Sequence, residues 1–212
     1  MSENSARIHV PMKCQCGALQ GFADVPSAHK GGRFVCMCDD CQAYAHYLGR
    51  AGDVLDANGG TEIFPVAPAN LKITQGFENL KCCRLSDNGM YRWYAGCCKT
   101  PIGNTPASTK SFYVGVVSTI MNYPADNQLR DSELGPIFAR LQGKFGIAPL
   151  PPGTLETVSF PVILRMVRFM LGSVLKRQQK PSPFVDSSTG QLRVKPYILT
   201  AAEREALRPS AK

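Results

Sequence analysis

A chain of 212 residues suits one domain with an extension, or two small domains, and is long enough to bury a core without metal. Its ordinary apolar and charged content, 44% and 19%, excludes wholesale disorder. No uninterrupted apolar run is long enough to span a bilayer, and the start, MSENSARIHVPMKCQCG, has no apolar signal core. A cytoplasmic chain without a cleaved leader is therefore expected.

Up to about residue 125 the sequence consists of short segments broken by Gly, Pro, Asn and Asp. Ala18–Asp24, Thr61–Val66, Asn70–Gln75, Leu80–Leu85, Met90–Ala95 and Ser111–Val117 mix β-branched and aromatic residues with polar ones. Turn pairs such as Asn58-Gly59 and Asn88-Gly89 separate several of them, which is the texture of a small all-β domain. Cys41–Gly49 is read as a helical turn. From about Asp131 the pattern changes. Ser132–Phe145 is expected as a helix, with Leu134, Ile137, Phe138 and Leu141 at helical spacing. Prolines 149, 151 and 152 with Gly153 break the chain. Phe160–Gln179 is expected as a second helix, with Pro161 at its start, where a missing N–H costs nothing. Pro181 and Pro183 end it. Residues 184–199 resemble a hairpin turning at Ser187–Gly190. Thr200 to Glu203 form a capping box that opens a short last helix.

The formal charge of +8 is unevenly placed. Residues 160–212 hold ten Lys and Arg against three Asp and Glu, so nearly all of the excess lies there. Such a tail can meet nucleic acid, an anionic membrane or an acidic partner, and it can equally be a solvated face.

The 9 cysteines are odd in number and clustered, unlike a secreted disulfide framework. In Cys14-Gln15-Cys16-Gly17, two thiolates two residues apart share a strand face and can reach one ion. Cys36-Met37-Cys38-Asp39-Asp40-Cys41 can converge three sulfurs on a zinc ion at about 2.3 Å each and supplies no obvious fourth ligand. Three protein ligands with an open position is the pattern of a catalytic zinc site. His46 is a candidate fourth ligand, though a lone His is more often a surface residue. Asp39 and Asp40 are read as turn residues before acceptors around the metal. Cys97 and Cys98 can share an ion only if the backbone turns sharply, which Gly96 would permit; otherwise one binds and the other packs. Cys82 and Cys83 lie in a strand-like run, one expected to face in and one out, and core packing is favoured over metal. A Cys-x-x-Cys redox motif would need a βαβ context, which is missing around Cys38–Cys41.

The order Cys-x-Cys-Gly, then Cys-x-Cys-x-x-Cys about twenty residues on, then a late cysteine knuckle before Thr100-Pro101, resembles the glutathione-dependent formaldehyde-activating family, which includes centromere protein V. The resemblance covers about residues 8–125. It implies a mainly β fold, a zinc-clamped β-tent of antiparallel sheets. It also implies a zinc-binding domain over 8–125 and leaves 126–212 as a basic extension of two helices, a hairpin and a short final helix packing on it. Two zinc ions per chain are implied: a structural one held by Cys14, Cys16 and the late knuckle, and an open one at Cys36, Cys38 and Cys41. The family's late knuckle usually reads Cys-x-x-Cys-Gly-Ser/Thr-Pro. Here Cys98 falls on its second cysteine, Ala95 on its first and Lys99 on its Gly, so Cys97 is taken as the other ligand, with Lys99 offsetting thiolate charge.

The function implied is carbon–sulfur lyase chemistry on glutathione–aldehyde adducts such as S-hydroxymethylglutathione, with glutathione as co-substrate. Asp39, Asp40 and His46 are candidate bases by sequence proximity alone. The alternative is a non-catalytic zinc-stabilised binding module whose basic extension contacts a protein, a membrane surface or nucleic acid. In the 160–180 helix, Val162, Ile163, Met166, Val167, Met170 and Val174 are expected near one side and packed on the β domain, ahead of a membrane surface or an oligomer contact. Nucleic acid ranks last, since no recognition motif is present.

Overall fold

The computed structural model describes residues 7–26, 32–123 and 128–207. The expected domain boundary at 125/126 and the tail bases Arg208 and Lys212 lie outside the described residues. In chain order the strands and helices are β1 (Arg7–Lys13), β2 (Gln20–Pro26), β3 (Arg33–Cys36), α1 (Asp39–Tyr47), α2 (Ala51–Val54), β4 (Thr61–Val66), β5 (Leu71–Gln75) and β6 (Leu80–Arg84). There follow β7 (Tyr91–Ala95), β8 (Pro101–Thr105), β9 (Val114–Val117), α3 (Gln128–Leu134), β10 (Ile137–Leu141), α4 (Phe160–Leu175), β11 (Tyr197–Ile198) and α5 (Ala201–Ala206).

The fold is mainly β, in two sheets. A three-stranded antiparallel sheet runs β1-β2-β5, and an eight-stranded sheet runs β10-β3-β4-β9-β8-β7-β6-β11. Every pairing inside the large sheet from β3 to β6 is antiparallel. Its two edges are not: β10 lies parallel to β3, and β11 parallel to β6. Both edge strands come from the C-terminal extension, so that extension completes the sheet on either side.

Strand alternation explains how the sheets close on one another. In β1, Val10 and Met12 point inward while His9, Pro11 and Lys13 are exposed, and Cys14 continues the inward series. These residues, with Leu19, Ala23 and Val25, meet Phe64, Val66, Leu80, Trp93, Ile102, Val114 and Val116 of the large sheet in the main core. Trp93 is fully buried, stacks on Phe184 at 4.3 Å between ring centroids, and donates through Nε1 to Thr105 Oγ1. The other face of β6 and β7 is covered by α1, where Ala43, Tyr44 and Leu48 pack with Cys83, Leu85, Tyr94 and Leu199.

Several expectations are corrected by this architecture. The helix expected over Ser132–Phe145 stops at Leu134, and Ile137–Leu141 is strand β10. Gly135 takes a left-handed φ of 78°, and Pro136 has no N–H to continue the ladder. Helical spacing of apolar residues had masked that break. The 184–199 hairpin is reduced to a turn with one bridge, Val185 to Leu192, before the chain leaves to pair Tyr197 and Ile198 with β6. Cys82 and Cys83 do point to opposite faces, but both are buried, because the large sheet is covered on both sides. Cys82 belongs to the core between the sheets and Cys83 to the cluster under α1. The capping box is present as expected: Thr200 Oγ1 accepts from Glu203 N–H while the Glu203 carboxylate accepts from Thr200 N–H.

Candidate metal centres

All nine cysteines are free thiols, and seven of them form two groups. Cys14, Cys16, Cys97 and Cys98 bring their sulfurs within 4.8 Å of one another, and so do Cys36, Cys38 and Cys41. Either group could hold a metal ion, and these are the seven residues expected from the sequence.

The four-sulfur group is made by two knuckles from different sheets. The first follows β1. Gly17, at φ 79°, lets the chain fold back, its N–H donating to the Cys14 carbonyl at 2.8 Å. Leu19 N–H then donates to Cys14 Sγ at 3.2 Å. The second knuckle links β7 to β8. Ala95 N–H donates to the Thr100 carbonyl, and Lys99 N–H to the Ala95 carbonyl. The left-handed residue here is Lys99, at φ 59°, and not Gly96. Lys99 therefore takes a backbone conformation that glycine adopts more readily. Its ammonium lies over the Tyr94 ring, 5.2 Å from the centroid. Thr100 Oγ1 joins the two knuckles by accepting from Gln15 N–H at 3.0 Å.

Three of the sulfur spacings match a tetrahedral ion site and a fourth, Cys16 to Cys97, is shorter. Bonds of about 2.3 Å set the sulfurs of a four-thiolate zinc about 3.8 Å apart. Here Cys14 lies 3.6 Å from Cys16 and 3.8 Å from Cys97, Cys16 lies 3.3 Å from Cys97, and Cys97 lies 3.9 Å from Cys98. Burial tends to raise the Cys98 thiol, but hydrogen bonds led by that from Thr100 bring it down to about 6. Burial and the neighbouring Cys16 and Cys14 thiols push Cys97 up to about 12. Crowded thiols of this kind become thiolates together only when a cation is present.

The three-sulfur group is local. Cys36 ends β3, paired with Thr61 of β4 and Leu141 of β10. Cys38 is the N-cap of α1, and its sulfur accepts from Cys41 N–H at 3.4 Å. Cys41 sits in the first helical turn, so one cap brings the pair together. Gln42 braces the site by donating through Nε2 to the carbonyls of Met37 and Phe145, at 2.7 and 2.9 Å. The Cys36 and Cys41 thiols are pushed up to about 12, Cys36 by its hydrogen bond with Cys38 and Cys41 by its hydrogen bond with Cys36, with burial adding in both.

Among the described residues no fourth His, Cys, Asp or Glu joins this group. His46 is exposed at the far end of α1. Asp39 and Asp40 are not simple turn residues, because both are engaged by arginines. Arg204 of α5 reaches Asp39 Oδ2 at 3.2 Å and Asp40 Oδ1 at 2.8 Å. Arg92 of β7, only 3% exposed, reaches Asp40 Oδ2 at 3.3 Å and Asn104 Oδ1 at 3.4 Å and lies over the Tyr44 ring. Its Nε has no hydrogen-bond partner. Sequence reasoning missed Arg92 and Arg204. The available signal for Arg92 was a lone charge inside the apolar and aromatic run Tyr91–Ala95.

No functionally curated protein matches the chain. A crystal structure of a Rhodobacter sphaeroides protein is similar at 17% identity with a TM-score of 0.40, over 60% of this chain and 96% of that one. The profile of a family of unknown function, DUF6151, matches residues 6–193. The chain with these two cysteine centres therefore belongs to the DUF6151 family.

Proposed function

We propose that the chain is a two-zinc protein whose Cys36–Cys38–Cys41 site takes a substrate thiol in its fourth position, and that it makes or breaks the carbon–sulfur bond of glutathione–aldehyde adducts. The observation that carries this reading is the difference in ligand number, four sulfurs in one group and three in the other. An all-thiolate set favours a soft or borderline ion and argues for zinc over calcium or magnesium. When bound, such an ion lowers the pKa of a coordinating thiol, so that the thiol is held as thiolate at neutral pH.

The chain's own groups suit that chemistry. Three thiolates around a divalent cation leave a net negative charge, and a fourth increases it. The buried Arg92 guanidinium stands beside the start of α1 to offset it. The N-terminus of α1, where Cys38 and Cys41 lie, adds the positive end of the helix dipole. In the addition, the substrate thiol gives up its proton, its sulfur donates an electron pair to the aldehyde carbon, a C–S bond forms as the C=O π bond breaks onto oxygen, and that oxygen takes up one proton, so that the thiol proton is balanced. In the reverse direction that O–H proton leaves, the C=O bond re-forms and the C–S bond breaks.

The test is turnover of S-hydroxymethylglutathione and of adducts with larger aldehydes by zinc-replete protein, followed by NMR exchange between free and adduct carbon. The reading predicts exchange that is lost in Cys38→Ser. No exchange with any aldehyde contradicts it.

A further inference from the structure

The helix α4 buries only part of the side expected from its sequence: Val162 and Met166 pack on the sheet, whereas Ile163, Val167 and Val174 are exposed. Val162 and Ser173 are the buried residues of the helix, and Met166 and Phe169 are partly buried. Val162 and Met166 pack with Phe34 of β3 and Leu141 of β10. Phe160, Leu164, Val167, Leu171 and Val174 are all exposed. Their spacing of four, three, four and three residues makes them one continuous stripe along the helix, turned away from the sheet except at Leu164, which also borders the cavity beside Phe34 and Phe64. Phe160 is 73% exposed, Leu171 56% and Leu175, at the helix end, 83%. A further exposed residue, Phe138 of β10, extends the apolar surface towards the sheet, where a cavity of about 700 Å³ is lined by Phe34, Phe64, Phe138, Leu164 and Phe169. An apolar surface of this extent marks an interaction site.

Charge identifies the occupant. From Thr157 to Val185 the chain carries Arg165, Arg168, Lys176, Arg177 and Lys180 and no Asp or Glu. A second copy of the chain seated on the stripe would bring these bases against their like, with no acid in the segment to pair them. An anionic bilayer offers both an apolar interior for the stripe and negative headgroups for the bases. The helix, 16 residues and so about 24 Å long, is shorter than a span, and no helix among the described residues is long and apolar enough to cross a membrane. An exposed apolar stripe, with Arg168 at its flank and Lys176, Arg177 and Lys180 just past the helix end, suits a helix that lies in the interface plane.

We propose that α4 docks the protein on anionic membrane surfaces, with Phe160, Leu164, Val167, Leu171 and Val174 entering the acyl boundary and the exposed Arg168, Lys176, Arg177 and Lys180 meeting the headgroups. Zinc-replete full-length protein is spun with phosphatidylcholine vesicles, and with vesicles in which part of that lipid is replaced by phosphatidylserine or, at equal charge, by phosphatidylglycerol. Co-sedimentation is expected with both anionic mixtures, with little on pure phosphatidylcholine, and falling as salt rises. Val167→Asp/Leu171→Asp, both at exposed positions and checked for unchanged metal content and circular dichroism, is expected to abolish it. Arg168→Glu is expected to weaken it by roughly fivefold or more. No binding to either anionic mixture at low salt, or binding unchanged in the double variant, overturns the proposal. So does a concentration-dependent dimer, in sedimentation velocity, that the double variant removes without any vesicle binding by the native chain.

Discussion

The two cysteine groups use the same chemistry to opposite structural ends. The four-sulfur group draws Cys14 and Cys16 from the end of β1 and Cys97 and Cys98 from the β7–β8 turn, so an ion held there would tie the small sheet to the large one across more than eighty residues of chain. The three-sulfur group lies within six residues, on a strand end and a helix cap. One is a staple between sheets. The other is a local feature set on a frame that the main core already holds together. We read the four-sulfur set as the one that bears on the fold and the three-sulfur set as one whose loss the fold tolerates.

That contrast can be broken by substitution. Cys14→Ser removes a buried ligand at the junction of the sheets. It should cost on the order of 5 kcal/mol or more, read as loss of soluble protein or of the cooperative thermal transition. Cys38→Ser should leave a folded protein that retains one metal and loses about 2 kcal/mol, read by metal analysis and thermal melting. Comparable destabilisation by both variants would refute the division into staple and local site.

Acid should separate metal from the three-sulfur group steeply. With the Cys36, Cys38 and Cys41 thiols at about 12 in the metal-free group, all three are protonated at neutral pH, and binding must expel their protons. Affinity therefore rises with pH below that value and falls as pH is lowered, by up to about a thousandfold per unit for three protons. Competition titrations with a chelator at successive pH values measure the slope, and a slope near one proton would contradict a three-thiolate site.

Arg92→Met tests the charge balance of the same site. It removes a buried cation and leaves Asp40 with Arg204 alone. Metal affinity at the three-sulfur site should drop about 10- to 100-fold, with unchanged metal at the four-sulfur group. The smallest effect is expected at Lys99→Gly. A lysine at φ 59° carries a left-handed backbone cost that glycine lacks, so the variant should gain about 0.5–1 kcal/mol. A loss would mean that the Lys99 ammonium, over Tyr94, contributes more than its backbone costs.

The sequence made both ligand sets legible because metal ligation depends on short spacings that survive without knowledge of the fold. Strands such as Thr61–Val66 were readable from their β-branched and aromatic residues and the turns that flank them. Long-range pairing was not. Nothing local marks Ile137–Leu141 as a strand, since its parallel partner β3 lies a hundred residues earlier, and Gly135-Pro136 was outweighed by helical apolar spacing. The partners of Arg92 and Arg204 were not legible for the same reason: their carboxylates are 52 and 164 residues away. The packed side of α4 was legible only in part, at Val162 and Met166 and not at Ile163, Val167 and Val174, because a helix apolar on more than one side does not announce which side is packed.

The distinction between a closed and an open centre is tested most directly by replacing the metal with cobalt(II) and titrating the protein with glutathione. Two cobalt ions per chain are predicted, both with tetrahedral thiolate spectra, and glutathione should add sulfur-to-cobalt charge transfer at one of them, a response missing in Cys38→Ser. One cobalt per chain, or two whose spectra ignore glutathione, would contradict an open three-thiolate site.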